Sequence, residues 1–132
     1  MTLTYLVDTD WVVHYLNGHQ GIVARLDVLK HQGLGLSTVS LGELYEGVFY
    51  SRDPVGDERG LQAFLHGVTL VSLDEETARI FGRERGRLRA DGMLIGDSDL
   101  WIATTALQYN LTQLTNNRRH FERIDGLRLE SV

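Results

Sequence analysis

Two spacings of apolar residues alternate along this chain, one suited to strands and one to helices. The run "LTYLV" at 3–7 is short, apolar and rich in β-forming residues, and it predicts a strand. Asp8, Thr9 or Asp10 can cap a helix that begins near Trp11 and stops by Asn17-Gly18. Ile22, Val23, Leu26 and Leu29 carry a helical period through 20–32, closed by Gly33. "LGLSTV" at 34–39 predicts a second strand. "SLGELYEGVFY" at 40–50 predicts a helix with Leu41, Leu44, Tyr45 and Val48 on its apolar face. Asp53-Pro54 and Gly56 end it, and another helix covers 57–66. "TLVSL" at 69–73 is a third strand. A long helix runs from Asp74 to about Ala90, acids first and arginines last, as the macrodipole favours. Residues 90–96 form a loop, 98–109 a helix ending before Asn110, "LTQLT" at 111–115 a fourth strand, and "LRLES" at 127–131 a short edge strand.

Strands and helices alternate without a repeat, a linker or a low-complexity segment. This order predicts one α/β domain over 1–132, with a parallel sheet covered by helices on both faces. Ligands of such sheets bind beyond the carboxyl ends of the strands. At that edge the pattern collects acids. Asp8 follows the first strand, Ser40 and Glu43 the second, and Asn116 and Asn117 the fourth, while Asp97 and Asp99 open the helix that feeds the fourth. No histidine joins them by position, and His14, His19, His31, His66 and His120 show no metal-ligand spacing. Oxygen ligands alone suit a hard cation, Mg²⁺ or Mn²⁺.

Each acid also has a plain structural role open to it. Asp8 and Asp97 stand where helix caps stand, and Ser40-x-x-Glu43 has the form of a capping box. Glu43 and Glu46 both lie off the apolar face, so the pattern does not choose between them. Asp99 is different. It shares its side of the helix with Ile102, Ala103, Ala106 and Leu107, where a charge is costly unless it is paired or metal-bound. An arginine partner, or a cation shared with Asp8, would each account for it.

Composition narrows the field. A chain of 132 residues, 42% hydrophobic and 23% charged, can build one real core. The absence of cysteine excludes disulfides and thiolate metal sites. The N-terminal apolar run is broken by Asp8 and Asp10 and has no basic leader, and no stretch approaches the roughly 20 apolar residues of a membrane span, so a cytoplasmic protein is expected. A net charge of −5 argues against generic coating of nucleic acid. Twelve of the thirteen basic residues are arginine, however, and eight of them group at 79–89 and at 118–123, flanking the acidic edge.

Four segments together, "LVDTDWVVHYL", "STVSLGELYEGV", "GRLRADGMLIGDSDLWIATTAL" and "LTQLTNNRRHFERIDGLRLESV", resemble the PIN-domain ribonucleases, and in detail the VapC toxins of bacterial toxin–antitoxin pairs. They span nearly the whole chain in the expected order. The resemblance implies a parallel sheet of about five strands and a Mg²⁺- or Mn²⁺-dependent endoribonuclease that hydrolyses RNA by metal-activated water. It also implies dimerisation and inhibition by a cognate antitoxin. Carried over, the family's acids fall on Asp8, Glu43 and Asp99, with Asp97 an additional acid of the same loop that would join Asp8 and Asp99 as a metal ligand. The fourth acidic position matches Asn117, an amide here, which weakens any second metal site. Thr9 and Thr115 match hydroxyl positions near the metal. Arg87 and Arg118, with Arg89 and Arg119, would hold flanking phosphates of a tRNA or rRNA substrate. Trp11, Tyr45, Val48 and Phe49 are groove residues for the antitoxin, or ordinary core.

Two other classes fit parts of the pattern. A haloacid-dehalogenase-type phosphatase would use Asp8 as nucleophile and Asp10 as acid, but Lys30, the only lysine, stands too early in the chain for that class. A non-catalytic module would use the same acidic groove only to bind a basic peptide.

Overall fold

The computed structural model describes residues 2–132. Five short strands are described: β1 (Tyr5–Val7), β2 (Leu34–Ser37), β3 (Thr69–Val71), β4 (Thr112–Leu114) and β5 (Arg128–Glu130). They form one parallel sheet in the order β3-β2-β1-β4-β5. Between them lie α1 (Thr9–Leu16), α2 (Gln20–Leu29), α3 (Thr38–Phe49), α4 (Pro54–Leu65), α5 (Glu75–Ala90), α6 (Asp97–Gln108) and α7 (Arg118–Phe121).

The register explains the two faces of the sheet. Val7 lies opposite Leu114, and Tyr5 opposite Leu34. Val7, Leu34, Leu36 and Leu114 share one core cluster with Trp11, Val12, Ile22, Leu26, Leu44 and Leu61 from α1 to α4. Leu6 points the other way and packs with Ile102 and Ala106 of α6. A third cluster joins Leu88, Leu100 and Ala103 to Phe121 and Ile124, so α5, α6 and α7 close the second face. Each fully buried large apolar side chain contributes roughly 1.5–3 kcal/mol through its removal from water.

Gly33 sets the entry to the sheet. Its φ is +92°, and a Cβ there would stand 2.2 Å from the Thr2 carbonyl oxygen. Its own carbonyl accepts the N–H groups of Thr4 and Tyr5, at 3.0 and 3.2 Å. Only glycine allows both the backbone sign and the close approach.

Three expectations shift. The second strand stops at Ser37 rather than running to 39, because the Ser37 hydroxyl accepts the Val39 N–H and caps α3. Ser40 is therefore not a cap: it lies inside the helix, buried, with no partner for its hydroxyl. The helix expected at 57–66 starts earlier, at Pro54, whose fixed φ suits a first helical position, with Asp53 capping through the Gly56 N–H. Finally, 118–121 is helical where no element was expected.

Candidate active site

The strand order reverses direction at β1. The chain moves outward from β1 to β2 and β3, then crosses back to lay β4 on the other side of β1. The carboxyl ends of β1 and β4 flank this switch point, the usual place for a ligand in a parallel α/β sheet. Asp8 leaves one of those ends and Thr115 the other.

Asp8 continues the ladder with its N–H donating to Leu114 O at 2.9 Å, then caps α1 by accepting the Thr9 N–H at 2.9 Å. Its second oxygen accepts the Thr115 hydroxyl at 2.7 Å. Thr115 Oγ1 in turn accepts the Asn117 N–H at 3.0 Å. Capping and a site role thus coexist in one residue. Asp8 is only 4% exposed. Its pKa is pushed from 3.8 up to about 7, chiefly by burial, with the negative charges of Asp10 and Asp99 adding to the effect; the bonds from Thr115 and Thr9 oppose it. Asp10 accepts the Asn116 N–H at 3.1 Å, which ties α1 to the loop after β4.

Glu43, on α3, accepts the Thr9 hydroxyl at 2.8 Å, so it is brought to the Asp8 corner and takes no part in a capping box. Asp99, in the first turn of α6, is not aimed at the interior. Its side chain keeps 27% of its exposure and stands at the rim of the sheet, while Ile102, Ala103 and Ala106 on the same helix are fully buried. Its partner is no arginine. His120 Nδ1 lies 3.1 Å from Asp99 Oδ2, and the Asn117 amide lies 3.2 Å from the same ring nitrogen. His120 is thus part of the acidic edge, against the expectation that no histidine joins it. The short helix α7 turns the chain back after Asn117 and carries the ring there. The spacing Asn117-x-x-His120, one helical turn, is the signal that would have found it.

Other expected residues lie elsewhere. Asp97 is largely exposed and bonds Arg85 Nε at 3.0 Å. Arg87 is committed to Glu84 at 2.9 Å and to the Arg123 carbonyl at 3.1 Å, bracing α5 against the C-terminal segment. Arg118 pairs with Glu122 at 3.0 Å and donates to Ser131 at 3.1 Å. Trp11 is wholly buried, and its indole donates to Asn116 Oδ1 at 3.0 Å, so it is core and brace and not a groove wall.

Among the described residues, no three His, Cys, Asp or Glu side chains converge closely enough to make a ready-made metal cage. The donor chemistry still fits a hard cation. Asp8 is desolvated under the field of two further carboxylates, and a divalent cation reverses the cost of such an arrangement. The ligands would be oxygens, with water completing the shell, as Mg²⁺ prefers.

Residues 5–127 match the PIN domain. The chain belongs to the PIN-domain family. Ribonuclease VapC2 of Rickettsia felis is 31% identical over 131 residues, covering 98% of both chains. The tRNA(fMet)-specific endonuclease VapC of Shigella flexneri is 29% identical, covering 97% of both. The solved VapBC2 complex of Rickettsia felis, bound to a DNA fragment from its promoter, superposes with a TM-score of 0.93 at 30% identity over 98% of this chain and 99% of that one. Within the PIN-domain family the chain is a VapC-type ribonuclease, the toxin of a toxin–antitoxin pair, and this family is typically metal-dependent. Membership removes the phosphatase alternative, and with it the nucleophile and acid roles of Asp8 and Asp10.

Proposed function

We propose that Asp8, Glu43 and Asp99 form the active site of an endoribonuclease that works with Mg²⁺ or Mn²⁺. The observation that carries this reading is Asp8: a nearly inaccessible carboxylate at the sheet's switch point, under the field of Asp10 and Asp99. Asp8 and Asp99 would hold the cation. When bound, it would neutralise charge on the scissile phosphate and lower the pKa of water for in-line attack. Thr115 orients Asp8 through its hydroxyl. Glu43, fixed at one oxygen by Thr9, is the group to accept the proton of the attacking water. Asn117 lines the same edge. Arg118, next to it, is the phosphate contact we favour, because its pair with Glu122 is the more exposed, whereas Arg87 is held between the nearly buried Glu84 and the Arg123 carbonyl. Asp97 stands outside the ligand set because it faces Arg85.

Water as nucleophile, in place of the ribose 2′-hydroxyl, leaves 5′-phosphate and 3′-hydroxyl ends. We favour a structured RNA such as a tRNA, in line with the name of the Shigella relative. The test is cleavage of total RNA by purified protein with Mg²⁺, with Mn²⁺ and with EDTA, beside Asp99→Asn. Metal-dependent cutting by wild type alone supports the reading. Equal cutting by both proteins, or cutting undiminished by EDTA, overturns it.

The same reading places a cognate antitoxin segment in the groove between α1, α3 and α4. This groove, of about 300 Å³, is lined by Val13, Leu16, Leu44 and Val48, with Glu43 and Asp57 at its edge. An apolar segment carrying a basic residue would suit it, and the solved VapBC relatives are toxin–antitoxin complexes. Dimerisation belongs to this proposal as well.

A further inference from the structure

We propose that His120 is a positioning residue for Asp99, holding one carboxylate oxygen so that the other serves the cation. The inference rests on the reading of Asp99 as a metal ligand. Asp99 in its ionised form only accepts hydrogen bonds, so at 3.1 Å from Oδ2 the His120 Nδ1 carries the proton and donates. Oδ2 is thereby engaged, and Oδ1 is left for the cation. The Asn117 Nδ2 lies 3.2 Å from the same ring nitrogen, and two donors do not face each other, so a protonated Nδ1 requires the Asn117 amide to exchange its ends and present its oxygen to the ring.

The ring is held from both sides. Immediately after it, Phe121 is fully buried and packs with Leu88, Leu100 and Ala103, which anchors α7 to the helix that carries Asp99. Three residues before it, the Asn117 N–H is fixed by Thr115, whose hydroxyl also holds Asp8. One short segment, 115–120, therefore touches both proposed ligands: Thr115 sets Asp8 and His120 sets Asp99. Groups that orient a metal ligand in this way change metal affinity by roughly 10–100-fold when removed.

The test is Mn²⁺ affinity of the full chain, read from the electron-spin resonance signal of free Mn²⁺ during titration. Wild type is compared with His120→Ala, His120→Phe, His120→Asn and Asp99→Asn. Phe keeps a ring without a donor, whereas Asn loses the ring but offers an N–H near the Nδ1 position. We expect Ala and Phe to weaken Mn²⁺ binding by about 10-fold or more, and Asn to stay within about threefold of wild type. Circular dichroism and thermal melting check that each variant is folded, and should His120→Ala not fold, the Phe and Asn pair decides. Wild-type affinity in His120→Phe, or equal weakening in His120→Phe and His120→Asn, overturns the positioning role. An Asp99→Asn variant that binds Mn²⁺ like wild type overturns the ligand reading beneath it, and the positioning role with it.

Discussion

Asp8 carries an energetic consequence that can be measured without any substrate. Its carboxyl titrates at about 7 in the fold against 3.8 as an ordinary aspartate. Between those values the folded chain holds a proton that the unfolded chain has lost, so stability falls as pH rises from about 4 to 7 and then levels off. The separation sets a ceiling of about 4 kcal/mol, and we expect about 2 kcal/mol in practice. In EDTA, Asp8→Asn should therefore be more stable than wild type at pH 8 in urea melts, with the gap closing toward pH 4, while RNA cleavage is abolished. A variant less stable than wild type at pH 8 would contradict the charge argument. Thr115→Val removes a bond that favours the ionised form; it should push the Asp8 pKa higher, so in EDTA the fall in stability should extend to higher pH than in wild type. At this scale the position after the first strand made Asp8 visible in the sequence. Asp99 was singled out for the wrong reason, since a helical wheel gives direction around an axis and not position along it. The first turn of α6 overhangs the sheet edge, so a residue on the core side still reaches solvent.

Helix boundaries show how local chemistry overrules propensity. Thr38 and Val39 are β-formers, and their sequence reads as the end of a strand. The Ser37 hydroxyl instead meets the Val39 N–H and starts α3 there. Ser37→Ala should cost about 1 kcal/mol in chemical denaturation. Ser40→Ala should be neutral or stabilising, because that buried hydroxyl has no partner to lose. The reverse order would restore the Ser40 cap. The shift by three residues also frees Glu43 from a capping box and turns it to Thr9. Helix α7 was not legible because four residues between turn formers leave no period to read, and the histidine beside Asp99 was hidden with it. Gly33→Ala, with a positive φ and a backbone oxygen in the way, should lose at least 2 kcal/mol, a cost on the scale of enforced backbone strain.

Across the whole molecule, alternation of strand and helix made the parallel sheet legible, but not the strand order that creates the switch point. That order depends on the long crossover through α5 and α6, which only tertiary packing decides. The arginines follow the same logic. Arg25, Arg79, Arg85, Arg87 and Arg118 are each engaged with a carboxylate, so the basic groups seen in the sequence largely serve the scaffold. RNA binding should accordingly depend weakly on salt, with a log–log slope no steeper than about −2, which corresponds to about three phosphates on a single strand. The sheet edge itself is tested most directly by anomalous diffraction from crystals soaked in Mn²⁺. We expect a peak at the carboxyl ends of β1 and β4, within bonding distance of an oxygen of both Asp8 and Asp99. A peak bound elsewhere, or none at this edge while the protein cleaves RNA, would contradict the acidic switch point as the catalytic centre.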